Sequence, residues 1–364
     1  VLVRVKQLKF REMNRAALRR ISGAGVQRLM HDIQWRSVRL EDLNPAESSW
    51  LVIGAPGQTA DLVQTLESRG QSCLAVNIVH DLESASWSEA QCTIHADDEQ
   101  HWEQVFNHWA EVHGGSSGGV VWLTPVPHRS DASTDELMET ARLHCSGTLQ
   151  LLHALRNHHV RKLDRGFQFI TRSAVQVGDA DTVCPAGSQF WGLGRTIGAE
   201  QPDIRCRIID SDAGEGVNDV IADVLLSDFA ENQVALRDGR LFAPRLVPWR
   251  SADEPAKLSL DTDATYLVTG GLGMLGRAAA RWLVSRGAQH VVLVSRSQPG
   301  ESAQQAIDEL QASGCNIIVH CGDVSKTEDV QQLFARFGND LPSLKGILHS
   351  AGVLDDGLLT DQTW

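Results

Sequence analysis

Thr265-Tyr-Leu-Val-Thr-Gly-Gly-Leu-Gly-Met-Leu-Gly276 is the stretch on which the reading of this chain turns. A short apolar run ends in a glycine-rich turn, and Arg277–Arg286 then reads as a helix with Ala278, Ala279, Trp282 and Leu283 on one face. Strand, turn and helix in that order form the context that a dinucleotide fingerprint needs. Gly271, Gly273 and Gly276 fit the G-x-G-x-x-G spacing. In such a turn one glycine permits the sharp bend, the next lets backbone N–H groups approach a pyrophosphate, and the third lets the helix pack close to the strand. The helix N-terminus adds partial positive charge for the anion. Alone the spacing is weak evidence, because a glycine turn between any strand and helix would explain it.

Outward from this turn the chain alternates strand and helix. Downstream come strand His290–Ser295, helix Ala303–Ser313, strand Asn316–His320, helix Thr327–Phe337 and strand Gly346–His349. Upstream, a first series begins with strand Trp50–Ile53, turn Gly54–Gly57, helix Gln58–Arg69 and strand Cys73–Asn77. It continues with strand Gly118–Leu123, a long amphipathic helix capped at Ser133/Thr134 and ending near His158, and strand Phe167–Thr171. A helix within Gly187–Glu200, strand Arg205–Ile209 and helix Val217–Leu226 follow, and Asp238-Gly239 between Val234–Leu236 and Leu241–Ala243 is a strong hairpin signal. Alternation of this kind predicts an α/β fold of doubly wound, mostly parallel sheets. The two series read as one unit written twice, the first without a working fingerprint and the second expected to be truncated at its C-terminus. The expected divisions are a leader over 1–32, a first unit over 33–250, a polar linker over 251–263 and a second unit over 264–364. Within the leader, Val1–Phe10 alternates like a strand and Arg11–Arg20 is basic and helix-prone.

Composition bounds the function. The 364 residues are 42% hydrophobic and 22% charged, ordinary globular values with length for about two domains. A formal charge of −13 argues against nucleic acid or an anionic membrane as the main partner. No apolar run approaches the roughly 20 residues that span a bilayer, and no signal-peptide core is visible at the start. Seven scattered cysteines, none in a C-x-x-C pair, read as reduced thiols of a cytoplasmic protein and offer neither a disulfide frame nor a metal site. The chain starts with Val and stops at Trp364 just after a helix-start signal, Asp361-Gln-Thr, so both ends are expected to be cut from a longer polypeptide.

Three further loops in the second series carry cofactor chemistry. Ser295-Arg296-Ser297 follows the second strand, where a free ribose 2′-OH would be met by Asp or Glu. An arginine flanked by hydroxyls suits a 2′-phosphate instead, through charge-assisted hydrogen bonds, and points to NADP over NAD. Asp323 and Val324 follow the third strand, where a carboxylate accepts the adenine amino group and Val324 packs on the ring; an N-cap of the following helix is the competing role for Asp323. The fourth strand ends His349-Ser350-Ala351-Gly352-Val353, with small residues that allow backbone to lie against the nicotinamide ribose. The cofactor set is thus Thr269, Gly270, Gly271, Leu272, Gly273, Met274, Leu275, Gly276, Ser295, Arg296, Ser297, Asp323, Val324, Ser350, Ala351, Gly352 and Val353, along one carboxyl sheet edge. In the first series Gly54-Ala-Pro-Gly57 has too few glycines, and Pro56 removes an N–H that a phosphate would need, so that unit is expected to be structural.

Taken together, Thr269–Gly276, Val294-Ser-Arg-Ser297, Gly322-Asp-Val324 and His349-Ser-Ala-Gly-Val-Leu-Asp-Asp356 resemble the ketoreductase domain of modular polyketide synthases, a branch of the short-chain dehydrogenase/reductase superfamily. Phe190-Trp-Gly-Leu-Gly-Arg-Thr-Ile-Gly-Ala-Glu200 and Gln233-Val-Ala-Leu-Arg-Asp-Gly-Arg240 are similar to that family's structural, non-catalytic subdomain, and Ile33-Gln-Trp-Arg36 to its entry. The resemblance implies two Rossmann-like units in tandem, the first degenerate and bracing a second that binds NADPH. It implies reduction of a β-ketoacyl chain carried on the phosphopantetheine arm of an acyl carrier protein, beside other domains of one synthase. Residues 1–30 resemble the tail of a preceding module domain such as a dehydratase.

In the family, NADPH gives hydride to the β-carbon, a Tyr donates the proton, and Ser and Lys orient and polarise. No residue of that set is assigned in this chain. Its one tyrosine, Tyr266, lies in the strand before the fingerprint, and no Tyr-x-x-x-Lys exists. On the substrate side, Leu354-Asp355-Asp356 resembles the motif of B-type ketoreductases, which implies a 3R hydroxyl product. Met274 departs from the small residue that many members carry there. Two other readings stay open: a structural or docking module with a vestigial nucleotide site, and a free-standing sugar-nucleotide epimerase.

Overall fold

A central strand buried on both faces must be apolar nearly throughout, and two such runs, Ser49–Gly54 and Thr265–Thr269, each lie inside a sheet with every residue buried. In the computed structural model the described residues are 30–40, 43, 46–79, 85–113, 118–124, 133–158, 163–212, 214, 216–249 and 259–363. They divide into two compact units, within Val1–Arg250 plus Gly357–Trp364 and within Ser251–Asp356. The expected leader elements and the Ser251–Pro255 linker lie outside the described residues.

The first unit contains β1 (His31–Val38), β2 (Ser49–Gly54), α1 (Thr59–Ser68), β3 (Ser72–Val79), β4 (Ser86–Trp87), β5 (Gln91–His95), α2 (Glu99–His113) and β6 (Gly119–Leu123). It continues through α3 (Thr134–Asn157), β7 (Gly166–Arg172), α4 (Ser188–Glu200), β8 (Cys206–Ser211), α5 (Val217–Leu225), β9 (Gln233–Arg237) and β10 (Arg240–Pro248). The strands form one sheet in the order β1-β10-β9-β8-β7-β6-β2-β3-β5-β4. From β9 to β5 neighbours run parallel, and the two edges are antiparallel. Ile33-Gln-Trp-Arg36 is an edge strand paired with Leu246–Ala243 of β10. The hairpin turn forms where Asp238-Gly239 predicted it, with both residues at positive φ (48° and 71°), the geometry of a type I′ turn. Ser133 caps α3 through a capping box with Glu136.

One layer of core joins Trp102, Val105, Phe106 and Trp109 of α2 to α3, α4 and the sheet; a second layer joins α1 and α5 to its other face. β4, β5 and α2 are additions to the elements expected from the sequence, and the 102/105/106/109 spacing of α2 is that of a helical face. Segment 357–363 groups with the first compact unit, where Leu359 is buried in the first of these layers.

The second unit contains β11 (Thr265–Thr269), α6 (Met274–Ser285), β12 (His290–Ser295), α7 (Glu301–Ala312), β13 (Asn316–Cys321), α8 (Thr327–Phe334) and β14 (Leu344–His349). Its four strands are all parallel in the order β13-β12-β11-β14. The chain winds outward from β11 to β13 and then returns to the other side of β11, so a topological switch point lies between β11 and β14. The predicted α6 face holds in part: Leu283 is buried and Ala279 packs on the core, but Gly276 and Ala280 complete the inward stripe, while Trp282 is 41% exposed under the Arg286 guanidinium. The helix starts a turn earlier than expected, and its inward stripe runs from Gly276, the position that rests on the turn.

Candidate functional site

Three glycines of the turn are fixed by the fold itself. Gly270 has φ +62°, and a Cβ there would lie 2.6 Å from the Ser350 carbonyl oxygen. A Cβ on Gly276 would sit 2.3 Å from the Gly270 carbonyl oxygen, and one on Gly271 would strike Leu293 of β12. These positions need glycine to let β11, β12, α6 and the β14 loop approach each other. Gly273 differs. Its Cβ would meet only the Gly270 carbonyl, at 3.2 Å, and it faces a pocket. It is also the N-cap of α6, without a side-chain cap, so the first-turn N–H groups of the helix remain available.

That pocket, about 600 Å³, opens at the carboxyl ends of β11, β12, β13 and β14. Open α/β sheets bind ligands there, at the switch point. The structure brings Gly270, Gly273, Ser295, Arg296, Asp323, Val324 and Ser350–Val353 together in its wall. Val294, Gly322, Ser325 and His349 join them and were absent from the predicted set. Val294, Gly322 and His349 lie within the motifs quoted from the sequence, so strand ends alone could have identified them.

The remaining predicted residues do other work or lie away from the pocket. Gly271 and Gly276 pack beneath the turn, and half-buried Leu272 packs on the core below it. Met274 and Leu275 are 77% and 70% exposed and do not line the pocket. Ser297 lies just beyond the wall, where its N–H donates to Ser295 Oγ at 3.4 Å. Leu354 is 86% exposed, and with Asp355 and Asp356 it lies outside the lining.

Thr269 is a clamp. Its Oγ1 accepts the N–H groups of Ser350 (3.1 Å) and Ala351 (3.2 Å) and lies 2.7 Å from His349 Nδ1. With both acceptances taken, its single proton goes to Nδ1, which places the His349 proton on Nε2. Ser350 Oγ donates back to the Thr269 carbonyl at 2.6 Å. The pocket-lining loop after β14 is thus tied to the end of β11. Tyr266 is buried in β11 and its hydroxyl accepts the Asp261 N–H at 2.8 Å, so this phenol is engaged away from the pocket.

Asp323 does not cap α8, whose N-cap is Lys326 with no side-chain bond. Its Oδ1 instead accepts the Ser325 N–H (3.0 Å) and Oγ–H (2.7 Å), while its own N–H donates to Asp329. The Ser325 bonds, backbone first, hold its carboxyl below the usual range, with Arg296 and Lys326 adding smaller pulls. Arg296 is exposed in the pocket wall and makes no hydrogen bond or ion pair within hydrogen-bonding reach to another described residue. No cluster that could hold a metal ion occurs among the described residues. No helix there is long and apolar enough to cross a membrane.

A glycine-turn pocket at the switch point of a parallel sheet defines a nucleotide-binding Rossmann-like unit, here preceded by a second such frame. Comparison with known proteins carries this further. Residues 44–246 match the Rossmann-fold domain of the polyketide synthase extender module SpnB, and residues 264–364 match the KR domain. The chain is 34% identical over 255 residues to the polyketide synthase GfsA of Streptomyces halstedii, covering 68% of this chain and 3% of that protein. With GfsB of the same organism it shares 32% identity over 345 residues, 86% of this chain and 6% of that one. It therefore spans only a small part of the relatives it matches. A C2-type ketoreductase from a modular polyketide synthase superposes with TM-score 0.72 at 24% identity, over 92% of this chain and 67% of that chain, which shows the shared fold. The chain belongs to the ketoreductase domains of modular polyketide synthases.

Proposed function

We propose that this chain supplies the cofactor half of an NADPH-dependent reductase site acting on a β-ketoacyl chain carried by an acyl carrier protein. The observation that carries the reading is the pairing of two features in one pocket. A Cβ at Gly273 would meet only the Gly270 carbonyl, at 3.2 Å, and Arg296 makes no bond to another described residue. Both are explained by a dinucleotide whose diphosphate needs close backbone approach and whose 2′-phosphate needs a guanidinium.

In this reading the first-turn N–H groups of α6 hold the diphosphate, Arg296 pairs with the 2′-phosphate, and Asp323 accepts the adenine amino group beside Val324. The Thr269 clamp holds Ser350–Gly352 in place against the nicotinamide ribose. Bound NADPH supplies hydride for the β-carbonyl carbon. No tyrosine of this chain is assigned as the proton donor: the one it has is engaged inside β11, and no Tyr-x-x-x-Lys exists. Leu354-Asp355-Asp356 flanks the substrate side and favours the 3R alcohol. The other domains of the same synthase deliver and remove the acyl chain. Seven unpaired cysteines support a reducing, cytoplasmic setting.

Calorimetric titration with NADPH and NADH, of the wild type and of Arg296→Asp, tests the assignment. A charge-assisted pair contributes about 1.5–3 kcal/mol, so the wild type should prefer NADPH by at least about tenfold and the variant should lose that preference. Equal affinity for both cofactors, or an unchanged preference in Arg296→Asp, sinks the reading.

A further inference from the structure

The first unit has a switch point of its own. From β2 the chain moves outward through β3 to β5 and then returns to β6 on the other side of β2. Open α/β sheets bind ligands at the carboxyl edge of such a crossing. A cavity of about 300 Å³ opens at that edge, lined by the ends of β6, β7 and β8 and the first turns of α1 and α5. Both helices start there without a side-chain cap, at Gln58 and at Gly216. The first N–H groups of a helix have no acceptor within it, and each such end carries partial positive charge. Two of these ends therefore share one cavity.

Two side chains of its wall lack what the rest of the edge has. Thr124, just after β6, is 3% exposed, and its Oγ1 is buried without a hydrogen-bond partner. The neighbouring hydroxyls are satisfied, Thr171 Oγ1 by Asp210 and Ser211 Oγ by the Thr171 carbonyl. A buried hydroxyl left unsatisfied is costly. Arg172, at the end of β7, is exposed in the same wall and makes no hydrogen bond or ion pair with another described residue. The one carboxylate of the lining is Asp61, in the first turn of α1. We propose that this cavity binds a phosphate-type oxyanion, either inorganic phosphate or the phosphoryl group of a small monoester. The N–H groups that open α1 and α5, the Thr124 hydroxyl and the Arg172 guanidinium hold it. Gly54-Ala-Pro-Gly57 lacks the glycines that a dinucleotide needs, and a single phosphoryl group does not need them. The site lies wholly within the first unit and stands apart from the function proposed above.

Calorimetric titration of the full chain with sodium phosphate, against sodium chloride at matched ionic strength, tests the site. Phosphate should bind and raise the urea midpoint of the first unit, and chloride should do neither. Arg172→Ala should weaken phosphate binding about tenfold, the scale of a bond to a charged group. Thr124→Val keeps the side-chain shape and should weaken it about threefold, the scale of a neutral hydrogen bond. Without phosphate the urea midpoint of Thr124→Val should equal or exceed that of the wild type, because an unsatisfied hydroxyl has been removed. Asp61→Asn should tighten binding about twofold, the scale of one exposed charge pair. Arg296→Asp, in the other unit, should leave the affinity as it is. Glycerol 3-phosphate, titrated in parallel, separates the two sources: tighter binding than inorganic phosphate assigns a monoester, and weaker binding assigns the free ion. No phosphate binding beyond that of chloride, an unchanged affinity in both Arg172→Ala and Thr124→Val, or loss of binding in Arg296→Asp overturns the site.

Discussion

The carboxyl edges of the two sheets are built on one frame and finished in opposite ways. In the first unit, β2 leads through Gly54–Gly57 to α1, and the turn satisfies itself: Gln58 Oε1 accepts the Ala55 N–H and the Gln58 N–H returns to the Ala55 carbonyl. Further along that edge, fully buried Asp210 accepts from Thr171 Oγ1 (2.5 Å), the Ala174 N–H (2.8 Å) and Arg237 Nη2 (2.6 Å). Arg237 also reaches Asp181 at 3.1 Å and the Val175 carbonyl, tying down the loop after β7. In the second unit the equivalent edge keeps Arg296 exposed in a pocket wall, without a bond to another described residue. The first edge places the charges of the Asp210–Arg237 pair in internal bonds; the second leaves Arg296 without a bond to another described residue. The lesson is that a duplicated fold separates into scaffold and site by where it places its charges, with the strand order of the frame retained.

The comparison breaks most sharply at Arg237. Arg237→Ala leaves the Asp210 carboxylate buried and without its cation, which costs about 3–5 kcal/mol. Urea denaturation of the first unit should show that loss, while NADPH affinity in the second stays unchanged. Next comes Gly276→Ala, where the new Cβ must displace the Gly270 carbonyl; overpacking of this kind costs about 1–3 kcal/mol, and calorimetry should find no NADPH binding. Gly273→Ala sharpens the contrast. Its stability loss should not exceed about 1 kcal/mol, the scale of changing an N-cap residue, yet NADPH affinity should fall about tenfold, or about 1.4 kcal/mol. If binding survives intact in Gly273→Ala, the glycine at that position has another cause.

The smallest expected effect is an acid tilt in the first unit. Burial pushes the Asp181 carboxyl upward, but bonds from the Val177 and Gly178 N–H groups and from Arg237 outweigh it and hold the group below its usual range. Its folded pKa therefore lies beneath the unfolded value of about 3.9. Its contribution is complete above that value and is lost as pH falls through the folded pKa. The urea midpoint of the first unit should decline below about pH 4, and less steeply in Arg237→Ala.

Local signals carried much of the architecture in the sequence. Apolar runs marked β2 and β11, Ser133 announced the start of α3, and Asp238-Gly239 marked its hairpin, because each depends on neighbours a few residues away. The α2 face was equally local at Trp102, Val105, Phe106 and Trp109 and went unread among the polar residues around it. Other features were not legible in principle. Thr269 and His349 are 80 residues apart and meet because β11 pairs in parallel with β14. Glu200 looks misplaced until Leu359, 159 residues later, is beside it. The competing N-cap role of Asp323 fits its position before α8, but Ser325 takes its carboxylate at shorter range.

The distribution of aromatic rings has a spectroscopic consequence. Trp50, Trp102, Trp109 and Trp122 are fully buried in the first unit, with Trp102 and Trp122 stacked at 5.8 Å. The described part of the second unit has one tryptophan, the exposed Trp282, and it also holds Tyr266, the sole tyrosine of the chain. Tryptophan emission will therefore report chiefly on the scaffold, shifting to longer wavelength as that unit unfolds and responding little to events at the turn. Tyrosine absorbs within the tryptophan band, so unfolding of the first unit is the event that the chain's intrinsic emission follows without a label.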